Sequence, residues 1–328
     1  MGHVEICRVL ERCTRQNDDD DSSFEGCGGD TMEDEDDEIV FQWTNRHVAV
    51  KVNYADRMDR LRDRHAENPL QEIAAMQLLG EDPVHVLGAL EVLFDGQNLN
   101  IVMRFCDNGD LFQLLQTRQA RPDHPPDVPG LTEGEARYWF RQLMKGVAFL
   151  HSKGICHRDL SPENVMIDGD EGLIIDMGMC LRVPYVDPNN PDATTDVLSA
   201  MGQTPRCLFK PQGPCGKLPY MSPEIYSNRR PFDGSAADVW TSGTILFCMI
   251  TGNRSYQRPH MSDPQFYWMS QGLRQLLADW NVNFSEDGIK LLEGMLQTDP
   301  RRRLTLEEVR RHPWFDEADD PPGGILER

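Results

Sequence analysis

His157-Arg158-Asp159-Leu160-Ser161-Pro162-Glu163-Asn164, followed after a short apolar run by Asp176-Met177-Gly178, is the stretch on which the reading of this chain turns. Asp159 and Asn164 lie five residues apart, close enough for one compact loop to aim both side chains at a single point. Leu173, Ile174 and Ile175 read as a buried strand that carries Asp176 to the same place. Two carboxylates and an amide offer hard oxygen ligands for a divalent cation and an acceptor for a proton. Those are the needs of phosphoryl transfer, a reaction that asks for positioned charge rather than covalent help. An Asp- and Asn-rich turn between two buried strands explains either motif alone. It fits both at this spacing poorly.

The first motif matches H-R-D-L-x-x-x-N in full, and the second matches Asp-Phe-Gly except that Met177 keeps an apolar group at the middle position. On these residues the chain resembles eukaryotic protein kinases of the Ser/Thr type, nearest to the calcium/calmodulin-dependent kind. The resemblance implies an α+β, bilobal fold with a small β-rich N-lobe carrying the αC helix and a larger, mostly helical C-lobe. It implies ATP and Mg²⁺ as cofactors, Asp159 as catalytic base, and Asn164 and Asp176 as Mg²⁺ ligands. Arg158, beside the base, stands where such kinases place an arginine that captures an activation-segment phosphate.

Partners for these groups appear in order along the chain. Val48-Ala49-Val50-Lys51 ends an alternating run and resembles the V-A-I-K strand, so Ala49 is assigned to the nucleotide site and Lys51 to the α- and β-phosphates. Leu70, Ile73, Ala74, Met76, Leu78 and Leu79 mark an amphipathic helix whose Glu72 is the natural ion-pair partner of Lys51. Val86 to Leu93 and Leu99 to Phe105 read as a hairpin around Asp95-Gly96-Gln97-Asn98. By resemblance Met103 guards the back of an adenine pocket, and Arg104, Phe105 and Cys106 present backbone to the adenine edge. Asp110 and Glu163 correspond to acidic positions around the nucleotide and substrate that face a substrate arginine. Thr132-Glu133-Gly134-Glu135 is a capping box opening the helix that leads to the central loop.

The segment 179–223 is long and carries Thr194, Thr195, Ser199 and Thr204. It ends in Tyr220-Met221-Ser222-Pro223-Glu224, which resembles A-P-E. An apolar helix around 237–250 is expected at the centre of the large lobe, with Asp238 supporting the central loop and Arg303 pairing with Glu224. The expected organisation is an N-lobe over 1–105 with an acidic insert at 16–38, a C-lobe over 106–315 with an activation segment at 176–224, and an acidic tail at 316–328.

Two departures from the family pattern matter. Gly2-His3-Val4 matches only the last third of a G-x-G-x-x-G-x-V loop, whose first glycines would fall before Met1; Val4 is therefore assigned to the nucleotide site. The competing cluster at 26–29 lies among carboxylates that would repel a triphosphate. Ser/Thr kinases also usually carry lysine where this chain has Ser161, and a hydroxyl cannot supply that charge. These departures sustain a rival reading, an ATP-binding pseudokinase that acts as a scaffold. A third reading makes the acidic insert the working part and the fold its carrier.

Composition bounds the remaining choices. The 328 residues are 39% hydrophobic and 27% charged, enough for two lobes, and no run of 18 apolar residues is present, so no membrane span is expected. Of the net charge of −21, more than half sits in 16–38, which holds twelve Asp or Glu and no Lys or Arg. Such a block repels itself and is expected to be disordered; it also argues against nucleic acid as a partner. Protein substrates basic around the phosphosite are expected instead. Nine cysteines without a C-x-x-C pair read as reduced thiols. The N-terminus lacks a signal pattern, and a cytoplasmic or nuclear location is expected. The oligomeric state is not legible.

Overall fold

The computed structural model describes residues 3–14, 39–56, 58, 68–80, 83–120, 129–183 and 208–316. The acidic insert, the glycine cluster at 26–29, Thr194, Thr195, Ser199 and Thr204, and the tail beyond Asp316 lie outside them.

β1 (His3–Thr14) and β2 (Ile39–Tyr54) pair antiparallel, His3 opposite Val52 and Thr14 opposite Ile39. β3 (Ala89–Phe94) and β4 (Asn98–Arg104) complete a four-stranded sheet of order β1-β2-β4-β3. Asp95 closes the β3–β4 turn by accepting the N–H groups of Gln97 at 2.9 Å and Asn98 at 2.6 Å, which hold its carboxyl down at about 2. Gly96, at φ 93°, takes the left-handed conformation that this turn requires. The first hairpin strand starts at Ala89 rather than at Val86. Val86 instead bridges in parallel to Ile174, and the Leu87 N–H donates to the Ile174 carbonyl at 2.8 Å, tying the small lobe to the large one.

α1 (Pro69–Leu79) starts where Asn68 accepts the Leu70 N–H at 3.0 Å, and Pro69 leaves no N–H unsatisfied in its first turn. Ile73 and Met76 bury against Ile101, Met103 and Leu173, whereas Ala75 and Leu79 turn toward the larger core. The helix is thus shared between two hydrophobic clusters.

The C-lobe is helical: α2 (Leu111–Gln119), α3 (Glu133–Ser152), α4 (Pro223–Ser227), α5 (Gly234–Thr251), α6 (Pro264–Gln271), α7 (Leu273–Asp279), α8 (Glu286–Met295) and α9 (Leu306–Arg310). Two short two-stranded antiparallel sheets interrupt it, β5 (Ile155–Cys156) with β8 (Leu181–Arg182), and β6 (Val165–Asp168) with β7 (Glu171–Ile174). The capping box of α3 is complete: the Glu135 N–H donates to Thr132 Oγ1 at 3.3 Å, and Thr132 N–H donates to the Glu135 carboxylate at 2.9 Å. α5 is buried over its whole length except at Ser235. Its hydroxyls are satisfied within the helix, Thr241 on the Ala237 carbonyl at 3.0 Å and Ser242 on the Asp238 carbonyl at 2.8 Å, so polar residues cost little there. The architecture is a bilobal α+β fold.

No helix among the described residues is long and apolar enough to cross a membrane. Six cysteines, Cys7, Cys106, Cys156, Cys180, Cys215 and Cys248, are free thiols. Burial pushes Cys106 up to about 11 and Cys248 up to about 12, which keeps both protonated and unreactive.

Arg303 is fully buried under α5. It donates to Glu224 at 2.6 and 3.0 Å, to the Ala236 carbonyl at 2.7 Å and to the Gln297 carbonyl at 3.0 Å, with its guanidinium 5.0 Å from the Trp240 ring centre. Removing one member of such a pair strands the other charge in the core. Arg303→Ala is expected to lower the unfolding free energy by about 3–5 kcal/mol. In urea this reads as a lower midpoint, and the double variant with Glu224→Ala should lose less than the sum of the two single changes.

Candidate active site

The central loop takes its shape from α5. Asp238 accepts the His157 N–H at 2.9 Å and the Arg158 N–H at 2.8 Å, and His151 Nε2 lies 2.9 Å from it. Burial raises the Asp238 carboxyl, but the hydrogen bond and charge of His151 and the Arg158 N–H outweigh it, and the net shift is downward. To present consecutive N–H groups to one carboxylate, Arg158 adopts φ 69°, a left-handed conformation that a non-glycine residue takes only when its surroundings require it.

His157 ties the loop to the strand that follows. Its Nδ1 accepts the Asp159 N–H at 3.2 Å, so Nε2 carries the proton and donates to the Ile175 carbonyl at 2.9 Å. Asn164 donates through Nδ2 to the Asp159 carbonyl at 2.7 Å and lies 3.4 Å from Asp159 Oδ2. Asp176, next after Ile175, is left-handed at φ 66° and caps the turn at Met177–Met179 by accepting the Gly178 N–H at 3.3 Å. Met177 is fully buried, in the same hydrophobic cluster as Ala75 and Leu79 of α1.

Lys51 Nζ donates to both oxygens of Glu72 at 2.8 Å and stands 3.6 Å from Asp176 Oδ1. Glu72 is only 2% exposed, so the pair has a specific geometry rather than the loose one of a surface ion pair. A cavity of about 830 Å³ opens beside it, within the range of a small-ligand site. Val4, Ala49, Lys51, Met103, Arg104, Phe105, Cys106 and Asp176 all line it. The Arg104 side chain points away, to Asp168 at 3.0 Å and Glu171 at 2.7 Å, leaving its backbone to the cavity.

Five assigned residues do not line it: Arg158, Asp159 and Asn164, which sit in the central loop, and Asp110 and Glu163. Asp110 caps α2 by accepting the Gln113 N–H at 2.8 Å, and Glu163 lies 3.4 Å from Lys217 Nζ. Both were placed near the nucleotide by resemblance to acidic positions. Local capping claims one, and a lysine 54 positions further along the chain claims the other. The sequence reading also missed Met166 and Ile175, which line the cavity. The signal was present, since Met166 follows Asn164 by two and shares its strand with an alternating pattern, whereas Ile175 was read only as a carrier of Asp176.

The donor set fits Mg²⁺. Asn164 spends its amide N–H groups on Asp159 and keeps its carbonyl oxygen without a partner among the described residues, and Asp176 adds a carboxylate with one oxygen bonded to Gly178. Hard oxygens are what this ion takes.

The sequence matches the protein kinase domain family over residues 38–315. The chain belongs to the protein kinase family. Its relatives include the serine/threonine-protein kinase CHK1 of Mycosarcoma maydis, 31% identical over 223 residues, which cover 68% of this chain and 29% of that protein. Serine/threonine-protein kinase chk1 of Schizosaccharomyces pombe is 33% identical over 217 residues, 66% of this chain and 37% of that one. CBL-interacting protein kinase 25 of rice (Oryza sativa subsp. japonica) is 31% identical over 273 residues, 83% and 46% of the two chains. The chain spans less than half the length of each of these three kinases.

Burial raises the Asp159 carboxyl above its ordinary value of 3.8, and Asp176 adds to the rise, against the charge of Lys217 and the Lys217 N–H. The folded protein therefore holds this proton at pH values where the unfolded chain has lost it, and ionising Asp159 costs stability as pH rises from 3.8 through the folded value. Asp159→Asn keeps the acceptor and removes the charge. It is expected to melt higher than the wild type at neutral pH, with the gap closing as pH falls to about 4, as followed by thermal denaturation across a pH series.

Proposed function

We propose that this protein is an active serine/threonine protein kinase that moves the γ-phosphoryl group of ATP to a protein hydroxyl. The observation that carries the proposal is the Lys51–Glu72 ion pair, formed at 2.8 Å with Asp176 3.6 Å away on the wall of an 830 Å³ cavity. In this reading Lys51 holds the α- and β-phosphates, and the backbone of Arg104 to Cys106 takes the adenine edge under Met103. Asn164 and Asp176 would hold Mg²⁺, which when bound neutralises phosphate charge and orients the γ-phosphoryl group. Asp159 accepts the proton of the substrate hydroxyl. The hydroxyl oxygen bonds to the γ-phosphorus, and the bond from that phosphorus to the β–γ bridging oxygen breaks, its electron pair leaving on ADP.

Arg158 is the proposed counter-charge for a phosphorylated residue of the activation segment. Its guanidinium reaches the Met179 carbonyl at 3.4 Å and lies 5.6 Å from the Phe232 ring centre, while its buried Nε has no partner among the described residues. The substrates we propose are cationic around the phosphosite. The net charge of −21 supports this, and so does Glu163, which faces one lysine of its own chain and keeps side-chain exposure of 31%. Against the scaffold reading, which the incomplete glycine loop and Ser161 sustain, stands the Lys51, Glu72, Asp159, Asn164 and Asp176 set, present and arranged.

Asp159→Asn separates binding from chemistry. With Mg-ATP at 100 times its dissociation constant, wild type and variant should both gain about 2.7 kcal/mol of stability in a thermal-shift assay. Phosphate transfer by the variant should fall by at least about 10²-fold, the usual size of a general-base contribution. A wild type with the ATP shift but no transfer to any Ser, Thr or Tyr peptide would return the scaffold reading. A positional peptide library on the wild type should show arginine favoured upstream of the phosphorylated Ser or Thr; neutral or disfavoured arginine at every upstream position would remove the substrate proposal.

A further inference from the structure

Ser161 stands two residues after the base and is fully buried, in the position where the family's usual lysine would bring a positive charge to the transferred phosphate. The structure fills that position with charge from elsewhere. Lys217 Nζ donates to Ser161 Oγ at 2.7 Å across 56 residues of chain. We propose that Lys217, supplied by the activation segment, is the catalytic cation of this kinase and contacts the γ-phosphoryl group during transfer. The inference rests on the reading above, that the protein transfers phosphate.

The backbone at Lys217 is built to hold it there. Its N–H donates to Asp159 Oδ1 at 3.0 Å, and its carbonyl accepts the N–H groups of Tyr220 at 3.0 Å and Met221 at 3.1 Å. Gly216 lets this stretch of chain come this close: at φ 90°, a Cβ added to it would lie 2.8 Å from the Arg158 carbonyl oxygen and 3.2 Å from Asp159 Oδ1. A residue pinned to the base by its own N–H, with its ammonium returned to the residue two beyond the base, spans the reacting centre on one side.

The ammonium also has donors to spare. Of its three N–H groups one is used by Ser161, and Glu163 Oε2 at 3.4 Å attracts the charge without a well-formed hydrogen bond. The Lys217 side chain is 38% exposed and that of Glu163 31%, so this pair is weak and leaves the charge available to an incoming anion. In phosphoryl transfer negative charge spreads over three equatorial oxygens, and a cation fixed before the reaction stabilises it without reorganising. Ser161 then has a positive reason to be a small hydroxyl. It anchors the lysine where a second lysine would repel it.

The bland account is that Lys217 merely ties the activation segment to the loop. Exchange of the two residues distinguishes the accounts, because a lysine at 161 is long enough to reach the same point while the tie from 217 is gone. Steady-state transfer and the Mg-ATP thermal shift should be measured for Lys217→Met, Ser161→Ala and the double exchange Ser161→Lys with Lys217→Ser. We expect Lys217→Met to lose about 10²-fold in kcat, the usual cost of one fixed charge-stabilising group, with little change in KM for ATP and an intact thermal shift. Ser161→Ala should lose less, and the exchange should recover at least about tenfold over Lys217→Met. A Lys217→Met enzyme as active as an active wild type overturns the inference and leaves the kinase reading standing. So does a Lys217→Met protein that loses its thermal shift and is not rescued by the exchange, since that is the signature of a tie. A wild type that transfers nothing removes the reaction, and this inference with it.

Discussion

One carboxylate with almost no access to water, that of Asp238, sets the geometry on which the site depends. It is 1% exposed and accepts two consecutive backbone N–H groups, from His157 and Arg158, while His151 approaches from the side. An ionised carboxylate so placed would be costly alone, and these partners offset the cost. They do so only because Arg158 turns left-handed, which brings both N–H groups to the one carboxylate. Because α5 also packs Trp240 against the buried Arg303, the loop inherits its position from the most deeply buried part of the large lobe.

The second constraint couples the lobes. Met177 is buried in the cluster that also takes Ala75 and Leu79 of α1, and the Asn68 N–H at the head of α1 donates to the Gly178 carbonyl at 2.9 Å. Gln71 of the same helix donates to the Cys180 carbonyl. Glu72 points from that helix to Lys51, so the position of α1, the burial of Met177 and the Lys51–Glu72 distance are one geometric fact seen in three places. Methionine is an adaptable filler of such a space, and its flexibility explains why an aromatic ring is dispensable here. Displacing α1 would expose Met177 and part Lys51 from Glu72 together.

Charge is distributed over segments that are far apart in sequence. Lys51 comes from β2, Glu72 from α1, Asp159 and Asn164 from the loop, Asp176 from the end of the strand run, and Lys217 from the stretch before α4. No pair among the two lysines and the carboxylates they face is left as an isolated buried charge: Lys51 is between Glu72 and Asp176, and Lys217 is beside Ser161, Glu163 and the backbone of Asp159. Such an arrangement is pre-organised, which is what a reaction with little covalent chemistry needs from its protein.

Much of this arrangement is legible in the sequence alone. Asp159, Asn164 and Asp176 were legible because their relation is local: five residues of loop and one short strand fix it. The capping box at Thr132 and the all-apolar span of α5 were legible for the same reason, since helix period and capping are short-range properties. Lys51 with Glu72, and Arg303 with Glu224, were named through resemblance in order along the chain, not through any spacing. What lay beyond reach was set by crossings of the chain. Val86 looks like strand and is drawn away by Ile174; Asp110 and Glu163, assigned by resemblance, stand at the α2 N-cap and near Lys217. The absence of a lysine at 161 reads in sequence as a missing charge, and only the fold restores it. Sequence pattern records which side of an element a residue faces, whereas the distance between Ser161 and Lys217 is decided by Gly216 allowing one stretch of backbone to lie against another.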